Sequence, residues 1–475
     1  MTDQAGSPAT SSPASQPRVV AGADLAAQAS YMLRDNRSGA VTKAAPELYP
    51  HQWSWDAGFN AIGLAAIDVD AATRELDALL RGQWRNGMIP HIVFDPAAES
   101  YFPGPDRWDT AARSGAAPSE PRTSGICQPP VHAIAAERIL AVARTRGAAT
   151  EQRARRWLAG FYPKLLAWHR FLATERTDPE TGLVVIFHGW ESGLDNSPRW
   201  DEAYRHVVVH DLPPYQRRDT SHVASAAERP TDEEYDRYLM LVEEQKAAGY
   251  DAATLMRTSS FAVGDVLFTA IFAAAGDILA ELASLVGASL VSASEASAEA
   301  EAEELRGQAA RARAAVLAQI DPATGLAADV DIRRRQPVRT ETIAGFAPLV
   351  AGGLPAELED RLVELLFGPR WAGHPQLRWP LPPSTSPASE DFQASRYWRG
   401  PVWPVMNWLL GWSLARAGRT DRAAQLREAT LAELGDGNFA EYYEPFTGAP
   451  LGSLRQSWTA AVALDWLVSG PALDG

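Results

Sequence analysis

The 475-residue chain has a single cysteine, Cys127. That excludes an internal disulfide framework and fits a reducing compartment, so a cytoplasmic location is expected. No stretch reaches the roughly 18 uninterrupted apolar residues of a membrane span. Basic residues are in the minority, 44 Lys and Arg against 59 Asp and Glu, and the formal net charge is -15. Such a surface repels phosphate backbones and anionic lipids, so neither nucleic acid nor membrane is expected as a partner. The N-terminal MTDQAGSPATSSPASQPR lacks a basic stretch leading into an apolar one. It reads as a disordered tail over residues 1–22 rather than a secretory signal.

Sheet signals are also scarce, whereas helical periodicity recurs with short breaks. It runs from DLAAQASYMLRD through ATRELDALLRGQWR, PPVHAIAAERILAVART and EQRARRWLAGFYPKLLAWHRFLATE to QSWTAAVALDWLVSG, about a dozen segments in all. The Ala-, Ser- and Glu-rich run from Ala293 to Glu304 is flanked by strong helix formers and is expected to be a solvated helix. A weak repeat marks the connections: DPETGL at 178–183, DPATGL at 321–326 and EPFTGAPLG at 444–452. Pro and Gly at these positions make tight reversals, which suggests antiparallel helix hairpins joined on one face. A toroid of paired helices, an (α/α)6 barrel, fits the count and the length.

Tryptophan is plentiful, with 16 residues. Large helical cores use Trp as filler, but Trp53, Trp55, Trp190, Trp200, Trp398 and Trp403 sit beside Gly, Pro and polar residues. Four segments share this chemistry: ELYPHQWSWDAGFN (47–60), HGWESGLDNSPRWD (188–201), QASRYWRGPVWPVMNW (393–408) and NFAEYYEPFTGAPLGSLRQSW (438–458). Brought to one mouth, they would line a polar, aromatic pocket. Carboxylates, amides and Arg suit sugar hydroxyls, and indoles suit the apolar face of a sugar ring.

Paired carboxylates also cleave glycosidic bonds, one protonated to release the leaving oxygen and the other activating water. Asp195 is a candidate acid, because Trp190 and Pro198 lower the dielectric around it. Asp201 and Glu191 are alternatives on sequence grounds, and Glu441 and Glu444 are candidates for the base. The competing reading of each is an acid that caps a helix or fixes a turn.

Together YPHQWSWDAGF, ESGLDNSPRWD, YWRGPVWP and FAEYYEPFTGAPLG resemble glycoside hydrolase family 63, most closely its bacterial glucosylglycerate and mannosylglycerate hydrolase branch. The motifs run from Tyr49 to Gly452. The resemblance implies one (α/α)6-barrel catalytic domain over 23–470, with cap insertions around 85–125 and 200–260. It also implies hydrolysis of an α-linked sugar with inversion, Asp195 acting as general acid and Glu441 as general base. Tyr49, Trp53, Trp55, Asp56, Gln128, Trp190 and Trp403 would hold the sugar, with Gln456 near the base.

A glycerate aglycone carries a carboxylate, which the planar fork of Arg matches. Arg229, Tyr235 and Tyr101 stand where the glycerate-specific branch has such residues, and Tyr397 would complete the clamp. An ion pair of Arg229 with Glu228 or Asp232 is the competing reading. The two histidines of HVVVH at 206–210 lack an adjoining Glu, and no calcium or nucleotide motif appears, so no metal and no cofactor are expected. The alternatives are an α-glucosidase or trehalase-like enzyme acting on a neutral disaccharide, and a non-catalytic carbohydrate-binding toroid. Glucose against mannose stays open, and a homo-oligomer is allowed.

Overall fold

The computed structural model describes residues 22–98, 101–220, 225–287, 295–435 and 437–469. Apart from Gly22, the tail expected over 1–22 lies outside the described residues. Twelve helices form the frame: α1 (Gly22–Asp35), α2 (Ser54–Ile67), α3 (Val69–Leu79), α4 (His132–Thr145), α5 (Ala148–Phe171), α6 (Val266–Gly287), α7 (Glu295–Leu317), α8 (Ala347–Ala351), α9 (Ala356–Leu366), α10 (Pro404–Arg416), α11 (Thr420–Glu433) and α12 (Ser457–Ser469). The even-numbered helices pack each on the next, and α12 closes the ring on α2. The odd-numbered ones alternate with them outside, α1 on α12, α3 on α2 and α4, α5 on α4 and α6, α7 on α6 and α8, and α11 on α10. The fold is an (α/α)6 barrel.

Hydrophobic patterning assigns each helix to its layer. Outer helices bury one stripe at spacings of three and four, such as Leu25, Ala29 and Leu33 in α1 or Leu362, Val363 and Leu366 in α9. Inner helices are buried all round: every residue from Ser54 to Ala66 in α2 and from Pro404 to Ala415 in α10. In α6, Val266–Val286 is long and apolar enough to cross a membrane, yet 89% of its apolar 18-residue window is buried inside the barrel. Its hydropathy reflects its place in the inner ring. The run expected to be a solvated helix falls largely within α7, where Ala302 and Leu305 face α6 and their neighbours face outward.

The two faces of the barrel differ. Inner-to-outer connections are brief: residue 68, residues 146–147, residues 352–355 and residues 417–419. Outer-to-inner connections are long and carry the loops. The three repeats are one turn: Asp178, Asp321 and Glu444 each donate their backbone N–H to the residue five positions on, at 2.9, 2.8 and 2.9 Å. Gly182, Gly325 and Gly448 occupy its left-handed position, with φ near +73 to +76°. A four-stranded antiparallel sheet, Val185–Ile186, Val263–Gly264, Asp329–Asp331 and Gln336–Val338, ties two of these passages together. Within the stretches expected as caps lie short helices at Pro105–Trp108 and Thr110–Arg113 and the longer Asp232–Ala247.

Candidate active site

Five of the six long connections meet over one cavity. Tyr49, Trp53, Trp55, Asp56, Tyr101, Gln128, Trp190, Asp195, Arg229, Tyr235, Tyr397, Glu441 and Gln456 all line it. Trp403, expected against the sugar, does not. It lies behind Trp398, stacked on that indole at 3.6 Å, with Tyr442 on its other face at 4.6 Å. Trp398 is the ring that reaches the cavity, and Trp403 buttresses it.

Local chemistry fixes each wall. A short ladder pairs Gln52–Trp53 with Ile92–Val93, holding Trp53 beside the segment that supplies His91. Gln128 accepts the Trp55 N–H at 3.2 Å, occupying one of the unpaired donors that open α2. Asp56 follows in that first turn, where the helix dipole favours an acid. Burial, and then the adjacent Glu441, push the Asp56 carboxyl well above its usual range. Gln456 reaches it at 3.5 Å.

The loop carrying Asp195 is held by its own acids and amides. Glu191 receives Arg176 at 2.7 and 3.0 Å, the Phe187 N–H at 2.7 Å and the Cys127 N–H at 3.2 Å. Burial alone would raise its pKa, but Arg176 and these N–H groups hold it below the usual carboxylate range. A carboxylate so engaged is a poor proton donor. Asp201 pairs with Arg399 and does not line the cavity. Arg199 bridges Asp265 at 3.0 Å and Asp329 at 2.5 Å, the two acids that cap α6. Gly193 has φ +74°, and a Cβ there would stand 2.6 Å from the Trp55 ring. Only glycine lets this loop close on α2.

The Asp195 carboxylate accepts a long contact from the Tyr397 hydroxyl at 3.5 Å. Burial, partly offset by Arg229, pushes its pKa up to about 7. Glu441 is better provided: Tyr49 donates to Oε1 at 3.0 Å and the Ser453 N–H to Oε2 at 3.1 Å. Burial raises its pKa too, against Arg229 and those two donors. Gly452 makes room, since a Cβ there would lie 2.5 Å from Glu441 Oε2. Glu444 serves its own turn, accepting Thr447, and is absent from the cavity.

The Tyr49 and Tyr397 hydroxyls are 3.4 Å apart. Hops of 3.5, 3.4 and 3.0 Å thus join Asp195 to Glu441 through the two phenols. Tyr397 sits at φ +38°, rare for a side-chain-bearing residue and typical of strain kept at working sites. Arg229 donates to Tyr49 at 3.0 Å, covers the Tyr397 ring at 4.3 Å and meets Asp219 at 3.5 Å, rather than pairing with Glu228 or Asp232.

Sequence reasoning missed His91, Tyr238, Trp458, Arg218 and Asp219, which also line the cavity. His91 lies parallel to Trp190 at 6.4 Å, and burial lowers its pKa to about 3, so it is neutral. Its sequence neighbours, Ile89, Pro90, Ile92 and Val93, are apolar and carry no mark of a site. Tyr238 and Trp458 belong to regular helical patterns that carry no mark of a site.

Residues 49–459 match the domain family described as mannosylglycerate hydrolase MGH1-like glycoside hydrolase. The chain is 53% identical to a glucosylglycerate hydrolase of Mycolicibacterium hassiacum over 93% of its length and 97% of the relative's. It is 39% identical to a mannosylglycerate hydrolase of Thermus thermophilus, covering 92% of this chain and 98% of that one. Among solved structures, the family 63 mannosylglycerate hydrolase of Thermus thermophilus in complex with Tris and D-glycerate superposes with a TM-score of 0.82, at 39% identity, over 93% of this chain and 99% of that one.

Proposed function

Because the chain belongs to the mannosylglycerate hydrolase MGH1-like family of glycoside hydrolases, we propose that its cavity takes glucosylglycerate and cleaves it to glucose and glycerate with inversion. Asp195, protonated, gives its proton to the glycosidic oxygen as the bond to the anomeric carbon breaks. Glu441, ionised, takes a proton from a water whose oxygen bonds to that carbon from the opposite face. A buried Asp195 with a pKa near 7 suits the first role, and a Glu441 held by Tyr49, Ser453 and Arg229 suits the second.

The carrying observation is that these two carboxylates face one cavity and are linked through Tyr397 and Tyr49, with Arg229 alongside. Trp53, Trp55 and Trp190 offer ring faces, Asp56, Gln128 and Gln456 offer hydroxyl partners, and Tyr101, Tyr235, Tyr397 and Arg229 surround the aglycone carboxylate. The stretches around 85–125 and 200–260 act as the cap, bringing Tyr101 and Arg229 over the mouth. The lone buried Cys127 suits a reducing cytoplasm.

Glucosylglycerate, mannosylglycerate and trehalose should be compared, with the released anomer followed by NMR. The expected outcome is β-glucose and glycerate from the first substrate. Preference for trehalose over both glycerate conjugates would overturn the aglycone assignment, and release of α-glucose would overturn the roles of the carboxylates.

A further inference from the structure

Glu47, Asp219 and Glu441 line the cavity together with Asp56 and Asp195, whose carboxyls burial pushes upward, against two cations, Arg218 and Arg229. The chain as a whole carries a net charge of -15. A substrate that bears a carboxylate meets repulsion on approach, and the cations decide whether it enters. Arg229 is buried and already engaged with Tyr49, Tyr397 and Asp219. Asp219 in turn is held by Arg217 at 2.7 Å, which is itself paired to Asp232 at 2.8 Å. The positive charge of this cluster is therefore largely matched within it.

Arg218 differs. It is exposed at the mouth and has no ion pair or side-chain hydrogen bond among the described residues. We propose that Arg218 is the recruiting cation of this site: its guanidinium draws the aglycone carboxylate to the mouth and sets the preference for an anionic over a neutral aglycone. This rests on the glycerate reading above. An exposed charge acts over about one Debye length, ~8 Å at physiological salt, so its contribution falls as salt rises. A buried, hydrogen-bonded Arg229 keeps its effect at high salt, which separates the two arginines.

The test compares the parent, Arg218→Gln and Arg218→Lys on glucosylglycerate and on glucosylglycerol, which replaces the carboxylate with a neutral CH2OH, at low and high salt. Arg218→Gln should lower kcat/KM for glucosylglycerate roughly three- to tenfold at low salt, with kcat unchanged, as expected for loss of a steering charge. The deficit should shrink at high salt, glucosylglycerol should be unaffected, and Arg218→Lys should keep most of the parent's rate. Equal loss on both substrates, or no loss on glucosylglycerate at low salt, overturns the proposal. A titration of D-glycerate followed by tryptophan fluorescence judges it without turnover. If the parent hydrolyses no glycerate conjugate, the proposed function falls, while weaker glycerate binding by Arg218→Gln still supports the role of Arg218. Equal or absent glycerate binding by parent and variant overturns it.

Discussion

The Tyr49 hydroxyl donates to Glu441 Oε1 across 3.0 Å, and its own oxygen accepts from Arg229. A phenol placed this way favours the ionised form of Glu441 against the burial that raises its pKa. Tyr49→Phe removes that donor, and a hydrogen bond to a charged group is worth about 1.5–3 kcal/mol, or about one pKa unit or more. The acidic limb of the kcat/KM profile should move to higher pH in this variant. An unmoved limb would mean that Glu441 is not the group titrating there.

Activity should also fall on the alkaline side. Asp195 works only when protonated and its pKa lies at about 7, so kcat/KM should decline as pH rises through neutrality. Asp195→Asn should lower kcat by about 10²–10⁴ and abolish this limb, as expected for loss of a positioned acid. Near-parental kcat in that variant would remove Asp195 from the chemistry.

The same residue burdens the fold in a pH-dependent way. A carboxyl whose folded pKa is raised binds more protons folded than unfolded, so stability declines between pH ~4 and ~7 and the full penalty is present above that. Asp195→Asn should therefore melt at a higher temperature than the parent at pH 8, with the gap closing toward pH 4. Thermal denaturation at the two pH values measures it.

Gly193→Ala probes the closure of the loop on α2. Its Cβ would meet the Trp55 ring at 2.6 Å, in a backbone conformation that L side chains avoid. The loop must lift, carrying Asp195 with it, so kcat should fall by more than tenfold while far-UV circular dichroism stays unchanged.

Much of this was legible in the amino-acid order. Outer helices announce themselves by stripes such as Leu25, Ala29 and Leu33, and the recurring acid, Pro, Thr and Gly mark a turn that the backbone repeats three times. The five-residue α8 was not legible, because so short a segment shows no period. At the site, polar loops rich in Trp pointed to the cavity, but not to which ring of a motif faces it. Trp398 and Trp403 lie five residues apart in one loop and stack on each other, and only the turn between them decides which is in front. Glu191 and Asp195 show the same limit. Two acids in one loop look alike until Arg176 is seen on one and little more than a distant phenol on the other.

The short connections at residues 146–147, 352–355 and 417–419 place none of the cavity's residues. The two rims of the barrel therefore divide the work. The outer-to-inner passages and the helix starts that follow them supply the cavity's residues, while the opposite rim joins neighbouring helices. A circularly permuted chain opened within 352–355 or 417–419 keeps every wall of the cavity on an uncut segment.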